Sequence, residues 1–214
     1  MGVFLFLTID QGTTSSRSLL FDEKFNVIDV FQKKFKQIYS NESWVEHNPE
    51  EILETVVSCC EKVLKGKHSK KILSIGITNQ RETIIAWDKK TGKPFYNAIV
   101  WQDKRTSKLC ENLKKDGLEE IINKKTGLLL DPYFSATKIA WVLDNIDGLR
   151  KKAESGNVCV GTIDTWLIWK LTKGKVFATD VTNASRTSLF NIRDMQWDID
   201  LLKIFNIPSH CLPD

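Results

Sequence analysis

The amino-terminal part of the chain carries apolar runs separated by short polar segments, a pattern typical of β-strands. Val3–Ile9 is an apolar, β-rich run of the kind found in strands that are covered on both faces. The pattern resumes at Ser18–Phe21, and Val27–Phe35 supplies a third run with mixed polar positions. We therefore predict three strands in an antiparallel meander, with Gln11–Ser16 at the tip of the first hairpin.

A helix is predicted after the meander. Asn48 is a good capping residue, Pro49 suits the first helical position, and two acidic residues follow at the positive end of the helix dipole. Apolar residues then keep a helical period until Gly66, where we expect the helix to stop. The other predicted elements are strands at Ile72–Thr78, Thr83–Trp87 and Asn157–Val160, and helices at Lys104–Lys115, Ser135–Asn145 and Ile163–Leu171.

This order of elements predicts an α/β fold whose mixed sheet begins with an antiparallel three-strand meander and is flanked by helices. It differs from the alternating strand–helix rhythm of a Rossmann domain. With 214 residues, of which 42% are hydrophobic, the chain can bury a core as one large domain or as two small ones.

Charge and cysteine content narrow the function classes. The net charge is +4, the lysines are spread among acidic residues, and no basic stripe with interleaved aromatic residues is present, so we do not expect nucleic-acid binding. The five cysteines have no C-x-x-C spacing, which favours reduced thiols in a cytoplasmic protein. No stretch reaches the ~20 apolar residues of a membrane span, so we expect no membrane insertion.

The tip of the first hairpin is the first candidate for chemistry. An acidic residue, a glycine turn, several hydroxyls and an arginine follow one another at Asp10, Gly12, Thr13, Thr14, Ser15 and Arg17. Backbone N–H groups and hydroxyls can hold a polyphosphate there, an aspartate can hold a metal ion, and an arginine adds positive charge. The same composition also suits an ordinary turn. A Walker loop is excluded, because G-x-x-x-x-G-K-[ST] is absent.

A second candidate follows the strand predicted at Ile72–Thr78. Arg81 and Glu82 stand side by side after it. A buried pair of this kind can hold a polyol, since an arginine donates to hydroxyl groups and a glutamate accepts from them. The alternative is a surface ion pair, which contributes little to stability.

Six segments in this order together resemble the FGGY carbohydrate kinase family, and the resemblance extends from Phe4 to the last residue. Part of it is a pattern, similar to that family's signature, that starts at Tyr133 and includes Lys138 and Trp141. The six segments are Asp10–Arg17, Ile77–Thr83, Asn97–Gln102, Asp131–Ser135, Gly161–Trp169 and Thr182–Thr187.

The resemblance implies an actin-like, ribonuclease-H-like ATPase fold and the ATP-dependent phosphorylation of glycerol to sn-glycerol 3-phosphate. In that family's terms, Asp10 helps to position Mg²⁺, whereas the turn at Gly12 and its hydroxyls contact the phosphates of ATP or ADP, with Arg17 nearby. Arg81, Glu82 and Tyr133 hold the glycerol hydroxyls, and Trp101 packs on the carbon edge of glycerol. The turn residues concerned are Thr13, Thr14 and Ser15.

The resemblance also predicts what lies outside these residues. Members of the family have two domains, and residues 1–214 correspond to an incomplete first domain, so the aspartate that deprotonates the attacking hydroxyl is expected beyond Asp214. We therefore expect no catalytic residue here, an inactive isolated chain, and a sheet with exposed apolar surface or edges.

Several alternatives remain open at this level. They are another sugar kinase of the family, a non-catalytic remnant, half of a split kinase that works with a separate carboxy-terminal half, and a homo-oligomer. A nucleotide-dependent chaperone of the same superfold would not need the polyol residues. The loop Asn79–Glu82 favours glycerol over a larger sugar.

Other polar and aromatic residues are interpreted structurally. Trp166 and Trp169 are predicted core residues, and Thr162 is the expected helix cap before them. Asp164 and Asp180 are expected to be supporting polar groups without a catalytic role. The three histidines, His47, His68 and His210, share no motif, and we expect His47 to lie in a structural loop.

Overall fold

The computed structural model describes residues 4–66 and 72–214, and the contacts divide the chain into two compact units. The first unit comprises Met1–Gln37 and His47–Gln80, and the second comprises Ile38–Glu46 and Arg81–Asp214. Each is described by itself below.

The strands are β1 (Leu5–Gln11), β2 (Ser15–Phe21), β3 (Val27–Lys34), β4 (Glu46–His47), β5 (Ile72–Asn79), β6 (Ile84–Asp88), β7 (Ala98–Ile99), β8 (Val158–Thr162), β9 (Phe190–Asn191) and β10 (Gln196–Trp197). The helices are α1 (Pro49–Leu64), α2 (Ser107–Lys115), α3 (Glu119–Thr126), α4 (Ser135–Asn145), α5 (Leu149–Glu154), α6 (Ile163–Leu171), α7 (Val181–Ala184) and α8 (Ile199–Ile204), followed by a 3₁₀ turn at Ser209–Cys211.

The first unit is built on a mixed sheet in the order β3-β2-β1-β5. Strands β1, β2 and β3 pair antiparallel, and β5 pairs parallel to β1, so the predicted meander is confirmed. Alternate residues of β1 point into a small apolar core with α1, in which Leu5, Leu7, Leu20 and Val63 are buried. The strand expected from Val3 begins at Leu5, and Val3 itself lies outside the described residues.

Helix α1 begins where the sequence pattern predicts. The Asn48 side chain accepts hydrogen bonds from the backbone N–H groups of Glu50 and Glu51, and Pro49 is the first helical residue. The helix ends at Leu64, and Gly66 lies just beyond it with a φ of 70°. That left-handed conformation costs glycine little, which explains why the helical pattern stops there.

One side of this sheet is only partly covered. Ile75 of β5 lies beside Leu7, which is buried, yet Ile75 is 55% exposed and Leu73 is 60% exposed. Parallel strands are usually covered on both faces. The expectation of exposed apolar surface is therefore met at β5, which is the last strand on that side of the described sheet.

The second unit is built on a sheet in the order β4-β7-β6-β8, in which β6 is antiparallel to β7 and β8. Its core includes Ile84, Val160, Ile139 and Leu143, which bring β6, β8 and α4 together. Trp166 of α6 is fully buried with its ring centroid 5.3 Å from that of Trp87, as predicted for a core residue.

Two elements begin three residues away from their predicted starts. Strand β2 begins at Ser15 and not at Ser18, so part of the predicted hairpin tip is paired in the sheet. The sequence pattern predicts a helix from Lys104, but helix α2 begins at Ser107 because Lys104 lies in a turn whose carbonyl accepts from the Ser107 N–H. Helix α3 and the short elements β4, β7, β9, β10, α5, α7 and α8 were not predicted, since the periodic pattern in each is brief.

All five cysteines are free thiols. Among the residues that the structure describes, we find no helix whose length and apolar character would let it cross a membrane.

Candidate functional site

In the first unit, the candidate phosphate-binding hairpin is a tight β1–β2 turn. The Gly12 N–H donates to the Ser15 carbonyl at 2.9 Å, and Asp10 faces Arg17 across the hairpin. Their side chains form an ion pair in which Arg17 Nη2 lies 2.5 Å from Asp10 Oδ2. Since both side chains are partly exposed, this pair contributes little to stability and is accessible to a ligand.

The turn residues differ in how accessible they are. Thr14 is exposed, Gly12, Thr13 and Ser15 are half-buried, and the Ser15 hydroxyl accepts from Gln32 Nε2 at 2.7 Å. A Cβ on Gly12 would lie 3.4 Å from the Ser15 carbonyl oxygen, an ordinary contact, so the turn by itself does not require glycine. Hydroxyls, backbone N–H groups and the Arg17 guanidinium together form a surface that suits an anion.

A chain of buried polar side chains supports the base of the hairpin. Gln80 Nε2 lies 3.1 Å from Gln11 Oε1 and 3.3 Å from both the Gly12 carbonyl oxygen and His47 Nδ1. His47 Nε2 lies 2.7 Å from Gln37 Oε1. These partners suit a neutral imidazole that donates from Nε2 and accepts at Nδ1. The structural role expected of His47 agrees with this geometry, but the residue lies in strand β4 and not in the predicted loop.

We predict that His47 makes the chain less stable in mild acid. Burial lowers the pKa of His47 to about 4 from its ordinary value of 6.5. Between these values the unfolded state binds a proton that the folded state does not, so stability is full above pH 6.5 and is lost as the pH falls. The free energy of unfolding, measured with urea, should fall by about 2 kcal/mol between pH 7 and pH 5.

The variant His47→Gln is the control for this prediction, because glutamine retains hydrogen-bonding groups but does not titrate. Its free energy of unfolding should change much less between the same two pH values. An equal fall in both proteins would assign the acid sensitivity to other groups and contradict the role of His47.

In the second unit, Glu82 is the buried carboxylate of the candidate polyol site. It is 2% exposed, has a φ of 63°, and its Oε1 accepts from Arg186 Nε at 2.6 Å. A positive φ is uncommon for glutamate and costs about 1 kcal/mol or more, which is typical of functional sites. In the described part of the chain Oε2 has no hydrogen-bond partner, so this oxygen can accept from a hydroxyl group.

The structure corrects the prediction of a buried Arg81–Glu82 pair. Arg81 is exposed, and the partner of Glu82 is Arg186, which lies 104 positions further along the chain. Arg186 is part of the segment Thr182–Thr187 that contributes to the family resemblance. The residues around it in the sequence do not indicate that it pairs with Glu82. Its guanidinium carbon also lies 5.8 Å from the Tyr133 ring centroid and 5.0 Å from that of Phe134.

Tyr133 and Trp101 lie together, as expected of residues in one site. Their ring centroids are 5.3 Å apart, both side chains are half-buried, and the Trp101 N–H donates to the Thr83 hydroxyl, one residue after Glu82. Tyr133 borders two clefts of about 530 and 460 Å³, which is the size range of small-molecule sites. The larger is lined by Trp101, Gln102, Asp103, Lys104, Ser107, Asp131, Pro132 and Tyr133.

The residues interpreted as structural have structural partners. Trp169 is half-buried near Trp87, and Thr162 occupies the predicted cap position of α6, although its hydroxyl donates to the Asp164 carboxylate and caps no backbone N–H. Burial raises the pKa of Asp164. Asp180 caps α7 through the Asn183 N–H.

We assign the two other histidines no role in the candidate site. His210 contacts the Ala153 carbonyl through Nε2, and His68 lies outside the described residues.

Comparison with known proteins finds a family model and several proteins that are similar to this chain in sequence. The sequence model of the N-terminal domain of the FGGY family of carbohydrate kinases matches residues 5–214. Glycerol kinases of Petrotoga mobilis and Borrelia duttonii are 59% and 57% identical over 210 residues, which is 97% of this chain. The chain spans 42% of the length of each of these two relatives.

Solved structures agree with this comparison. The crystal structure of Plasmodium falciparum glycerol kinase with ADP superposes with a TM-score of 0.92 at 42% identity, covering 99% of this chain and 42% of that one. Gluconate kinase from Lactobacillus acidophilus superposes with a TM-score of 0.89 at 23% identity, covering 100% and 42%, and this likeness concerns the fold alone. The actin-like ATPase fold expected from the sequence is therefore confirmed.

Proposed function

The chain belongs to the FGGY family of carbohydrate kinases, and from this premise we propose that it binds glycerol and the phosphates of ATP for phosphoryl transfer to glycerol. The product would be sn-glycerol 3-phosphate, formed in the cytoplasm. Because the chain spans 42% of its curated relatives, the proposal assigns it substrate binding, and residues outside it deprotonate the attacking hydroxyl and complete the site.

The proposal rests mainly on the buried carboxylate of Glu82. One oxygen is bound to Arg186, and the other is left to accept from a hydroxyl group. A site that binds hydroxyl groups through such a carboxylate discriminates against ligands that lack them. Tyr133 adds a further hydroxyl, Trp101 offers an apolar face for carbon, and the exposed Arg81 is a donor for the polyol.

The hairpin of the first unit is proposed to hold the nucleotide phosphates. Gly12, Thr13, Thr14 and Ser15 supply N–H and hydroxyl donors, and Arg17 neutralises charge. Phosphoryl transfer depends mainly on positioning and charge neutralisation, which these groups can provide.

Asp10 fits the proposed magnesium site. Mg²⁺ usually takes one or two carboxylates together with phosphate oxygens and water, and Asp10 offers one carboxylate, of which Oδ2 contacts Arg17. Mg²⁺ would supply charge neutralisation on the phosphates when it is bound.

Glycerol is favoured over a larger sugar by the comparisons. Glycerol kinases are 42–59% identical to this chain, whereas the gluconate kinase is 23% identical. We further propose that more polypeptide, covalently joined or as a separate carboxy-terminal half, covers the exposed Leu73 and Ile75 of β5.

The proposal is tested by ligand-observed NMR of glycerol with the purified 214-residue chain. The wild type should give a saturable glycerol signal, and Glu82→Gln should weaken binding about 10- to 100-fold, because a hydrogen bond to a charged group is worth about 1.5–3 kcal/mol. Arg81→Ala should weaken it as well. Glu111→Gln, an exposed glutamate of α2, is the matched control and should bind like the wild type.

A coupled assay of ADP release separates binding from turnover. We expect no glycerol-dependent ADP release from the chain alone. Release that depends on Arg81 would show that these residues, or contacts between copies, supply the missing base. Equal glycerol signals from the wild type and Glu82→Gln would contradict the proposed function.

A further inference from the structure

Lys138 is a fully buried lysine that has no role in the function proposed above. It lies on the first turn of α4, and its relative exposure is 0%. A lysine is almost never fully buried unless its charge has partners, because transfer of an ammonium group out of water is costly. The position of its hydrogen-bond partners therefore indicates the role of Lys138.

The Lys138 ammonium group binds the backbone of the loop that carries Tyr133. Its Nζ lies 2.9 Å from the Pro132 carbonyl oxygen, 2.6 Å from that of Tyr133 and 2.7 Å from that of Phe134. An ammonium group has three N–H bonds, and here each has one acceptor. Lys138 therefore holds three consecutive peptide units, and the Tyr133 unit is the central one.

The rest of this turn joins α4 to the other segments of the candidate polyol site. The Ser135 hydroxyl donates to the Glu82 carbonyl at 3.1 Å, and the Ala136 N–H donates to the Thr187 carbonyl, next to Arg186, at 2.8 Å. The Thr137 hydroxyl lies 2.8 Å from that of Thr106, in the segment that follows Trp101. Four consecutive residues thus contact the four segments that form the site.

Two opposing effects act on the charge of Lys138. Burial lowers the pKa of Lys138 to about 7, while the carboxylates of Glu82, Asp103 and Asp131 and the Cys110 thiol oppose that shift. The three carboxylates come from different segments of the unit, and they favour the charged form of Lys138 that the three carbonyl groups bind.

We propose that Lys138 is a positioning residue, which sets the place of the Tyr133 ring beside Trp101 and Arg186 by holding the backbone of Pro132–Phe134. The proposal rests on the proposed function, because it assigns Lys138 an effect on polyol affinity. The effect of Lys138 on the order of the Pro132–Phe134 backbone does not depend on glycerol. Lys138 touches no substrate in this assignment and acts through Tyr133.

The test compares Lys138→Met, which keeps the length of the side chain without its N–H groups, with the control Lys108→Met on the exposed face of α2. Hydrogen exchange followed by mass spectrometry should show at least tenfold faster exchange in the peptide containing Tyr133 and Phe134 of Lys138→Met. Exchange in β8 and α6 should stay within twofold of the wild type, and Lys108→Met should match the wild type throughout.

Ligand affinities provide a second readout. Lys138→Met should weaken glycerol binding at least tenfold and leave the affinity for ATP within twofold, because the nucleotide phosphates are assigned to the hairpin of the other unit. A general loss of structure would weaken both ligands. Unchanged exchange at Tyr133, or equal losses for both ligands, would overturn the proposal.

If Lys138→Met does not fold, Lys138→Gln replaces it, since its amide still donates two hydrogens and should give a smaller increase in exchange. Failure of both variants to fold would overturn the positioning role in favour of a general role in folding. If the wild type itself does not bind glycerol, the proposed function fails, whereas the exchange measurement still decides whether Lys138 holds the Tyr133 loop.

Discussion

Replacement of Arg105 by methionine should lower the free energy of unfolding of the second unit by about 3–5 kcal/mol, as expected when one partner of a buried ion pair is removed. The Arg105 side chain is fully buried, and its Nη2 lies 2.6 Å from Glu46 Oε1 and 2.8 Å from Asp103 Oδ2. Without the guanidinium, two buried carboxylates lose their counter-charge. The loss should be measured by urea unfolding.

Stacking adds to the loss. The guanidinium carbon lies 3.8 Å from the Trp44 ring centroid and 4.5 Å from that of Trp141, so the cation is enclosed between two indoles. Burial alone would lower the pKa of Arg105, but hydrogen bonds with Asp103 and Glu46 raise it above its usual value. The arginine is therefore charged at neutral pH.

Two variants separate the effect of charge from the loss of packing. Arg150→Met removes a guanidinium that pairs with the exposed Asp144 and donates to the Asn206 carbonyl, and it should cost less than Arg105→Met because Asp144 stays in contact with water. Adding Glu46→Gln and Asp103→Asn to Arg105→Met should recover part of the stability, because no buried charge is then left unpaired. A triple variant less stable than Arg105→Met would show that packing, and not charge, dominates.

Replacement of Arg186 by methionine should weaken glycerol binding about 10- to 100-fold, the range of a lost hydrogen bond to a charged group. Arg186 supplies the counter-charge of Glu82, which is 2% exposed. Without it, the buried carboxylate loses the cation that offsets its charge and fixes its orientation. Ligand-observed NMR titration of glycerol measures the change.

A matched control distinguishes this role of Arg186 from a general effect of losing an arginine. Arg193→Met, an exposed arginine whose Nε donates to the Lys124 carbonyl, is the matched control and should bind like the wild type. Unchanged affinity in Arg186→Met would contradict the role of Arg186.

Features that depend on neighbouring residues were predictable from the sequence. The meander follows from apolar runs broken by a polar segment, although the turn covers only residues 12–14, because Gln11 and Ser16 pair in the sheet. Helix α1 follows from Asn48 and Pro49 and from a helical period that ends near Gly66. In each case the side chains and backbone groups that decide the structure lie within a few positions of one another. The start of α2 was wrong by three residues, because a turn at Lys104 competes with the helix.

The candidate site was predictable only in part. Tyr133 and Trp101 were named from the family resemblance, and the structure brings their rings together. Their role in holding glycerol, and the role of the hairpin in holding phosphates, stay predictions. Arg186 was missed as the partner of Glu82, and Arg81 was wrongly expected to be buried with it.

The sequence by itself determined the local elements, the polar hairpin tip and membership of a kinase family, since each depends on residue types at short spacing or on a set of ordered motifs. Only the tertiary structure decided which charges meet: Glu82 with Arg186, Arg105 with Glu46, and Lys138 with the carbonyls of the Tyr133 loop. The physical reason is that a buried charge is stable only beside a counter-charge or a dipole. For Glu82 and Arg105 the fold brings that partner from a distant part of the chain. For Lys138 the side chain folds back onto the start of its own helix.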